Sequence, residues 1–317
     1  MFIKLLASTK LTTFLVVFLL VGVILNTQLT PHWAFITLPL ITLATNLIAA
    51  LIITKKLRVN PFLLLFHISL LAFIVIAGLN ELGAHKGHVE VFEGGEFTGE
   101  LDEEETGPLL LSSLKNLRFD LLAMEVNYQA NGERNGTFSR IQVTAPDNDK
   151  QIFVIGDQHP FIFNGYRFYT THNKGFAILL KWQPKGESIS QLGSIHLPSY
   201  PANALKQKLT WTPDKSTQEL WLHLSFDQDP IASGRAIRFR PPMDASLVVR
   251  GKNRYKIDVG QSIELSDGLL TYVGIRSWMG FKVQYDRLIS WLLAAAIVSV
   301  ISLCAYLIQR RYFVGNK

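Results

Sequence analysis

The chain has 317 residues, of which 48% are apolar and 18% are charged. Soluble domains usually carry about 25% charged residues, and here the deficit is concentrated in a few windows. No Asp, Glu, Lys or Arg lies between Lys10 and Lys55, and two further charge-free windows cover 59–80 and 288–309. This distribution excludes a wholly soluble protein.

The charge-free windows predict four transmembrane helices. A bilayer core about 30 Å thick needs about 20 apolar residues per helix, so the first window holds two helices and each of the others holds one. The predicted fold class is an integral membrane protein with four α-helices and a large extracytoplasmic β-domain between the third and fourth. The predicted boundaries are 11–28, 34–54 and 60–80 within a three-helix region at 11–82, then 83–286 for the large domain, 287–309 for the fourth helix and 310–317 for a tail.

The basic excess of the chain lies at the helix ends and not in the large domain. The formal net charge is +6, yet residues 83–286 hold 22 Lys plus Arg against 24 Asp plus Glu. No basic surface for nucleic acid is therefore expected there. Because Lys and Arg are enriched at the cytoplasmic ends of membrane helices, both termini are predicted to be cytoplasmic. The first helix is expected to stay uncleaved, since no small-x-small signal-peptide cleavage pattern follows Leu25.

The large domain is predicted to be mostly antiparallel β-structure. Short segments rich in β-branched and aromatic residues, among them 167–171 and 176–182, alternate with turn sequences such as Asn164-Gly165. Residues 202–209 are interpreted as a short helix. The one cysteine, Cys304, lies in the fourth helix, so packing and not disulfides must hold the domain together. A sandwich or several stacked sheets is expected.

One histidine lies inside a predicted membrane helix. His67 is about 10 Å along the third helix from Asn60. An imidazole at that depth is costly unless its ring nitrogens find partners, and a neutral imidazole is a good iron ligand. Two interpretations follow: an axial ligand of a metal, or a hydrogen bond to Thr42, Thr45 or Asn46 of the second helix.

Two further histidines, His85 and His88, follow the third helix. One helical turn would place both on the same side as a metal or heme ligand pair, whereas Gly83 and Gly87 favour irregular chain. No hydrolase elbow, zinc-binding His-Glu-x-x-His pair or phosphate-binding Gly-rich loop is present in the sequence. No catalytic residue is therefore assigned.

Five segments, in this order, resemble the ResB family of cytochrome c biogenesis proteins, of which this would be a short, divergent member. They extend from the entry into the first helix to the entry into the fourth, and comprise residues 6–12, 66–71, 87–96, 159–169 and 280–286.

The resemblance implies a non-catalytic subunit of a cytochrome c synthetase-type assembly in the bacterial inner membrane. Such a subunit works with a CcsA/ResC-type heme-handling membrane protein, conveys or holds heme b transiently across the membrane, and presents it to apocytochrome c. His67 matches the family's proposed transmembrane heme ligand, the other axial ligand coming from the partner. The alternative is a membrane-anchored β-rich scaffold that binds a protein partner but no heme. A transporter is disfavoured, because the predicted helices hold no acidic or basic residue to relay ions.

Overall fold

The computed structural model describes most of the chain, namely residues 2–29, 31–131, 133–144, 150–198, 206–211, 218–225, 237–241, 245–251 and 253–314. The helices within this part are α1 (Phe2–Leu6), α2 (Thr9–Gln28), α3 (Ala34–Ile53), α4 (Lys55–Val59), α5 (Pro61–Leu82) and α6 (Ile289–Val314).

Four of these helices, α2, α3, α5 and α6, are long and apolar enough to cross a membrane. Their mean hydropathies lie between 2.0 and 2.7. At 1.5 Å per residue, the 22 residues of α5 extend over about 33 Å, which matches a bilayer core of about 30 Å. The four predicted apolar helices are therefore confirmed.

The start of α5 is fixed by its own sequence. The Asn60 side chain accepts hydrogen bonds from the backbone N–H groups of Phe62 and Leu63, at 3.0 and 3.1 Å. Pro61 occupies the first helical position, where its missing N–H costs nothing. The Asn60 amide also donates to the Gln309 side chain near the end of α6. Capping thus sets where α5 begins and ties its start to the last helix.

Close contacts order the bundle. A Cβ atom at Gly22 of α2 would collide with the backbone oxygen of Phe35 in α3, so only glycine permits this approach. On the other side of the bundle, the Ser299 hydroxyl of α6 donates to Ser69 of α5 at 2.8 Å, and both serines are buried. The described helices therefore pack in the order α2, α3, α5 and α6.

All the described strands lie in the chain between α5 and α6. They are β1 (His85–Phe92), β2 (Glu96–Phe97), β3 (Asp102–Thr106), β4 (Phe119–Tyr128), β5 (Arg134–Thr144), β6 (Lys150–Gly156), β7 (Phe161–Phe163), β8 (Tyr166–Pro184), β9 (Gln191–Pro198), β10 (Lys206–Trp211), β11 (Gln218–Ser225), β12 (Ile237–Arg238), β13 (Ser246–Arg250), β14 (Arg254–Ile257), β15 (Ser262–Leu265) and β16 (Gly268–Tyr285).

The described strands form three antiparallel sheets. The first has the order β3-β1-β16-β8-β7, with β15 added to β16 and β9 to β8. The second has the order β12-β4-β5-β6, with β2 added to β4, and the third has the order β10-β11-β13-β14. The pairings between their strands are antiparallel, as predicted.

An aromatic core joins the first two sheets. Phe119 of β4 lies edge-on to Phe168 of β8 at 5.7 Å between ring centroids and to Phe281 of β16 at 6.2 Å. All three side chains are at most 1% exposed. Such edge-to-face aromatic pairs add about 0.5–1.5 kcal/mol each beyond the area they bury, so a domain without disulfides has a substantial core.

Two local predictions are corrected by the strands. Segments 167–171 and 176–182 are parts of the single strand β8, which stays paired with β16 across two bulges. Residues 206–209 of the predicted helix 202–209 belong to strand β10, which pairs with β11, while 202–205 lie outside the described residues. The predicted Asn164-Gly165 turn is borne out, since both residues have positive φ between β7 and β8.

Candidate functional site

His67 lies in the second turn of α5 and is half-buried. Helix geometry places it on the same side as Gly78, because eleven residues at about 100° each bring the two to within about 20°. Gly78 lies against the Cβ of Leu40 in α3. Ser69, which bonds to α6, is about 200° away from His67 around the helix. The imidazole is therefore on the α3 side of α5, away from the serine contact.

The His67 ring has a defined hydrogen bond on one nitrogen. Nδ1 lies 2.7 Å from the backbone oxygen of Leu63, one turn earlier. A carbonyl oxygen only accepts, so Nδ1 carries the proton and donates, and in the neutral ring the lone pair is on Nε2. Nε2 makes no hydrogen bond within the described residues and is not sealed inside the bundle. Metal-bound histidines usually have this arrangement, with one N–H donated to a carbonyl and the other nitrogen open.

The polar side chains of α3 that could satisfy His67 all bond elsewhere. Thr42 donates to the backbone oxygen of Pro39 at 2.8 Å, and Thr45 donates to that of Ile41 at 2.8 Å. Asn46 donates to backbone oxygens near the start of α2 and accepts from the Thr12 hydroxyl. The interhelical hydrogen bond to Thr42, Thr45 or Asn46 is therefore not formed, and Nε2 is left for another partner.

The structure does not bring His85 and His88 together. Both belong to β1, where neither the predicted irregular chain nor a helical turn occurs. Residues three apart on a strand point to opposite faces, and accordingly His85 is 6% exposed while His88 is exposed. Among the described residues, no group of three or more His, Cys, Asp or Glu side chains is arranged to hold a metal ion.

His85 instead forms a buried cluster at the base of the β-domain. Its Nδ1 lies 2.7 Å from the Tyr166 hydroxyl, and Glu104 Oε1 lies 2.8 Å from Nε2, although off the axis that a hydrogen bond would need. The carboxylate favours the proton on Nε2, so Tyr166 donates to Nδ1. Burial raises the pKa of Tyr166, the hydrogen bond with Ser112 opposes this, and Tyr285 and Glu104 add to the rise. The phenol therefore remains a donor at neutral pH.

His32 is a histidine that sequence reasoning misses. It lies between α2 and α3, and its ring stacks on Trp33 at 5.3 Å between centroids. Both rings line a cavity of about 180 Å³ together with Lys86 and Glu104. The cavity places the turn between the first two long helices beside β1 and β3. The sequence did place the turn that contains His32 at the same end of the helix bundle as the start of the β-domain, and this could have indicated that the two lie close together.

Comparison with known proteins agrees with the architecture. The model of the ResB-like family matches residues 61–240, which is more than half of the chain and includes α5 with His67. No curated protein matches the chain. The chain therefore belongs to the ResB-like family, and this membership implies a role in cytochrome c biogenesis.

Proposed function

We propose that the protein is the membrane subunit of a cytochrome c synthetase-type assembly that holds heme b in passage across the bacterial inner membrane. The observation that carries this proposal is the His67 ring, whose Nδ1 is fixed on the Leu63 carbonyl while Nε2 has no partner among the described residues. Family membership supports the same role.

His67 would hold the heme iron through Nε2 of its imidazole ring. The hydrogen bond to Leu63 holds the ring in one tautomer and one orientation, so no reorganisation is needed before Nε2 binds. Phe66 meets the ring edge-on at 5.0 Å between centroids and limits its rotation. The residues present thus fit the nitrogen ligand that heme iron requires.

A second nitrogen ligand to the heme iron would come from a partner protein. We assign it to a histidine in a membrane helix of a CcsA/ResC-type heme-handling protein, so that the ligand pair is completed only in the assembled complex. When bound, heme supplies the vinyl groups to which the cysteine thiols of apocytochrome c add. The role of this chain is to fix heme position and orientation, and holding reactants in one geometry is itself a large part of catalysis.

The proposed topology follows from the basic helix ends. Lys10 precedes the long part of α2, Lys55 and Lys56 lie between α3 and α5, and Arg310 and Arg311 lie near the end of α6. Because Lys and Arg are enriched at the cytoplasmic ends of membrane helices, we assign these ends to the cytoplasm. His67 then lies in the cytoplasmic half of the membrane, and the β-domain lies in the periplasm, where apocytochrome c is found.

Removal and chemical rescue of the ligand test the proposal. His67→Gly, co-expressed with the heme-handling partner, is expected to reach the membrane but to lose most of the Soret absorbance of the purified complex. Added imidazole should restore that absorbance, because a free imidazole can occupy the space of the missing ring. His172→Ala, which removes an exposed histidine of β8, is the matched control and should keep full absorbance.

Three outcomes would contradict the proposal. Undiminished heme in His67→Gly would show that the iron is held elsewhere, and a complex of the unmodified chain that never contains heme would favour the alternative of a scaffold. A loss of heme that imidazole does not reverse, together with loss of the partner from the complex, would assign His67 to assembly instead of ligation.

A further inference from the structure

A second cavity lies where the β-domain meets the ends of the two helices that flank it. Its volume is about 380 Å³. The last turn of α5 and the first turn of α6 form two of its walls, through Leu79 and Trp291 respectively. Tyr285 at the end of β16 and the loop that follows β3, with Leu109 and Leu111, complete it. The cavity is thus at the level where the apolar helices end.

The lining of this cavity combines apolar and polar side chains. Leu79, Leu288 and Trp291 continue the apolar surface of the helices, and Arg287 and Asn80 add polar groups next to them. A ligand that fits needs a hydrocarbon part and an anionic or hydrogen-bonding head. This mixed lining matches an amphiphile.

Several large apolar side chains at the cavity are exposed, which would be unfavourable in contact with water. Leu111 is 91% exposed, Trp291 is 68% exposed and Leu109 is 55% exposed. They form one surface with the membrane-spanning parts of α5 and α6, whose outward side chains are also exposed in the isolated chain. Contiguous exposed apolar surface marks an interaction site, and its continuity with these helices indicates acyl chains.

The loop that carries the leucines cannot withdraw into the domain. The Gly107 N–H donates to the Ala84 carbonyl at 2.7 Å, and the Leu109 N–H donates to the Leu82 carbonyl at 2.8 Å. A Cβ atom at Gly107 would collide with the carbonyl of Leu82, so the loop lies directly against the end of α5. Leu109 and Leu111 are therefore held at the edge of the apolar belt.

Arg287 supplies the charge for the head group. Its side chain is exposed and makes no hydrogen bond or ion pair within the described residues. The nearby Lys86 and Glu81 neutralise each other at 3.3 Å. Asp286 precedes Arg287 in the chain and is half-buried, with its backbone N–H donated to Gly165. Arginine binds phosphate oxygens well, often with two parallel hydrogen bonds.

We propose that this cavity binds a phospholipid of the outer leaflet, with an anionic phosphate head on Arg287 and an acyl chain between Leu79 and Trp291 beneath the Leu109 and Leu111 loop. The proposal goes beyond heme handling and does not depend on it, and only the assignment to the outer leaflet rests on the proposed topology. Bound lipid would hold the base of the β-domain at a fixed height above the membrane.

Tryptophan quenching by brominated lipids tests the site. The full chain is reconstituted in phosphatidylcholine vesicles that contain increasing fractions of dibrominated phosphatidylglycerol or dibrominated phosphatidylcholine. The Trp291 signal is the difference between the unmodified chain and Trp291→Phe. We expect half-maximal quenching at a fraction about fivefold lower for phosphatidylglycerol. Its head group keeps a net negative charge, whereas choline offsets the phosphate charge in phosphatidylcholine, and one arginine gains about that factor from an anionic lipid. Arg287→Gln should abolish this preference, and Arg254→Gln, an exposed arginine of β14, should retain it.

Three results would overturn the proposal. Equal quenching by both lipids in the unmodified chain indicates general contact with the bilayer, and this arm needs no variant to fold. An unchanged preference in Arg287→Gln removes the assigned head-group ligand. The cavity would instead be assigned to a porphyrin if added heme displaced brominated phosphatidylglycerol and if Leu111→Ser abolished the binding of heme as well as of the lipid.

Discussion

Removal of the Tyr166 hydroxyl should destabilise the β-domain because it leaves the buried His85 ring without its hydrogen-bond donor. Tyr166→Phe deletes the oxygen that lies 2.7 Å from His85 Nδ1, and His85 is 6% exposed. A buried acceptor left without its donor costs about 1–3 kcal/mol. In a domain of about 200 residues, 1 kcal/mol shifts the melting temperature by about 2–4 °C, so Tyr166→Phe should lower it by about 2–12 °C.

A double variant distinguishes the loss of this hydrogen bond from a simple loss of packing. When His85→Leu is added to Tyr166→Phe, both polar partners are replaced by apolar groups, which is often nearly neutral. We therefore expect the double variant to be more stable than the sum of the two single losses, by a coupling energy of about 1–2 kcal/mol. The assay is thermal unfolding of the full chain in detergent, followed by near-ultraviolet circular dichroism. Strictly additive losses would refute the assignment of a coupled buried pair.

Two further predictions concern the β-domain. Gly175→Ala should lower the free energy of unfolding by about 3 kcal/mol and reduce the yield of folded protein, because the added Cβ would collide with the Leu197 carbonyl. Gly193→Ala is the matched control, since Gly193 lies on the neighbouring strand with open space around it. Equal losses in the two variants would contradict the clash. Burial raises the pKa of Tyr272 to about 12, with Asp258 adding to the rise, whereas an unfolded tyrosine ionises near pH 10. The contribution of Tyr272 to stability is therefore present below pH 10 and is lost as pH rises towards 12. In urea titrations from pH 9 to 12, Tyr272→Phe should lose less free energy of unfolding per pH unit than the unmodified chain. An equal loss per pH unit in both proteins would contradict this prediction.

The long helices could be predicted because their signal is local. Hydropathy over about 20 residues decides whether a segment can cross a bilayer, and no distant contact changes that. The antiparallel β-character of the domain was also readable from short alternating segments and turn sequences. The long strands were not. Residues 172–175 were predicted to separate two strands. β8 continues through them because β16 pairs along its length, with a bulge between Met279 and Phe281.

For the candidate site, too, local features could be predicted from the sequence and contacts between distant residues could not. His67 could be found from one residue type at one depth in an apolar window, and its bond to Leu63 is a contact within one helical turn. The rejection of Asn46 as its partner needed the structure, because Asn46 is occupied by residues near the start of α2. The pairing of His85 with Tyr166 joins residues 81 positions apart, and no local pattern encodes such a contact. His85 and His88 were grouped by sequence spacing, which a strand converts into opposite faces.

The connection between the helices and the β-domain is stiff. α5 ends at Leu82 and β1 begins at His85, while β16 ends at Tyr285 shortly before α6 begins at Ile289. β1 and β16 pair directly with each other, so both helices continue into neighbouring strands of one sheet. His67 lies about 22 Å from the end of α5, on the same rigid element that leads into the His85 cluster. A ligand that tilts α5 at His67 must therefore move the base of the β-domain or strain these pairings. Under the proposed function, heme bound at His67 would in this way be coupled mechanically to the position of the β-domain.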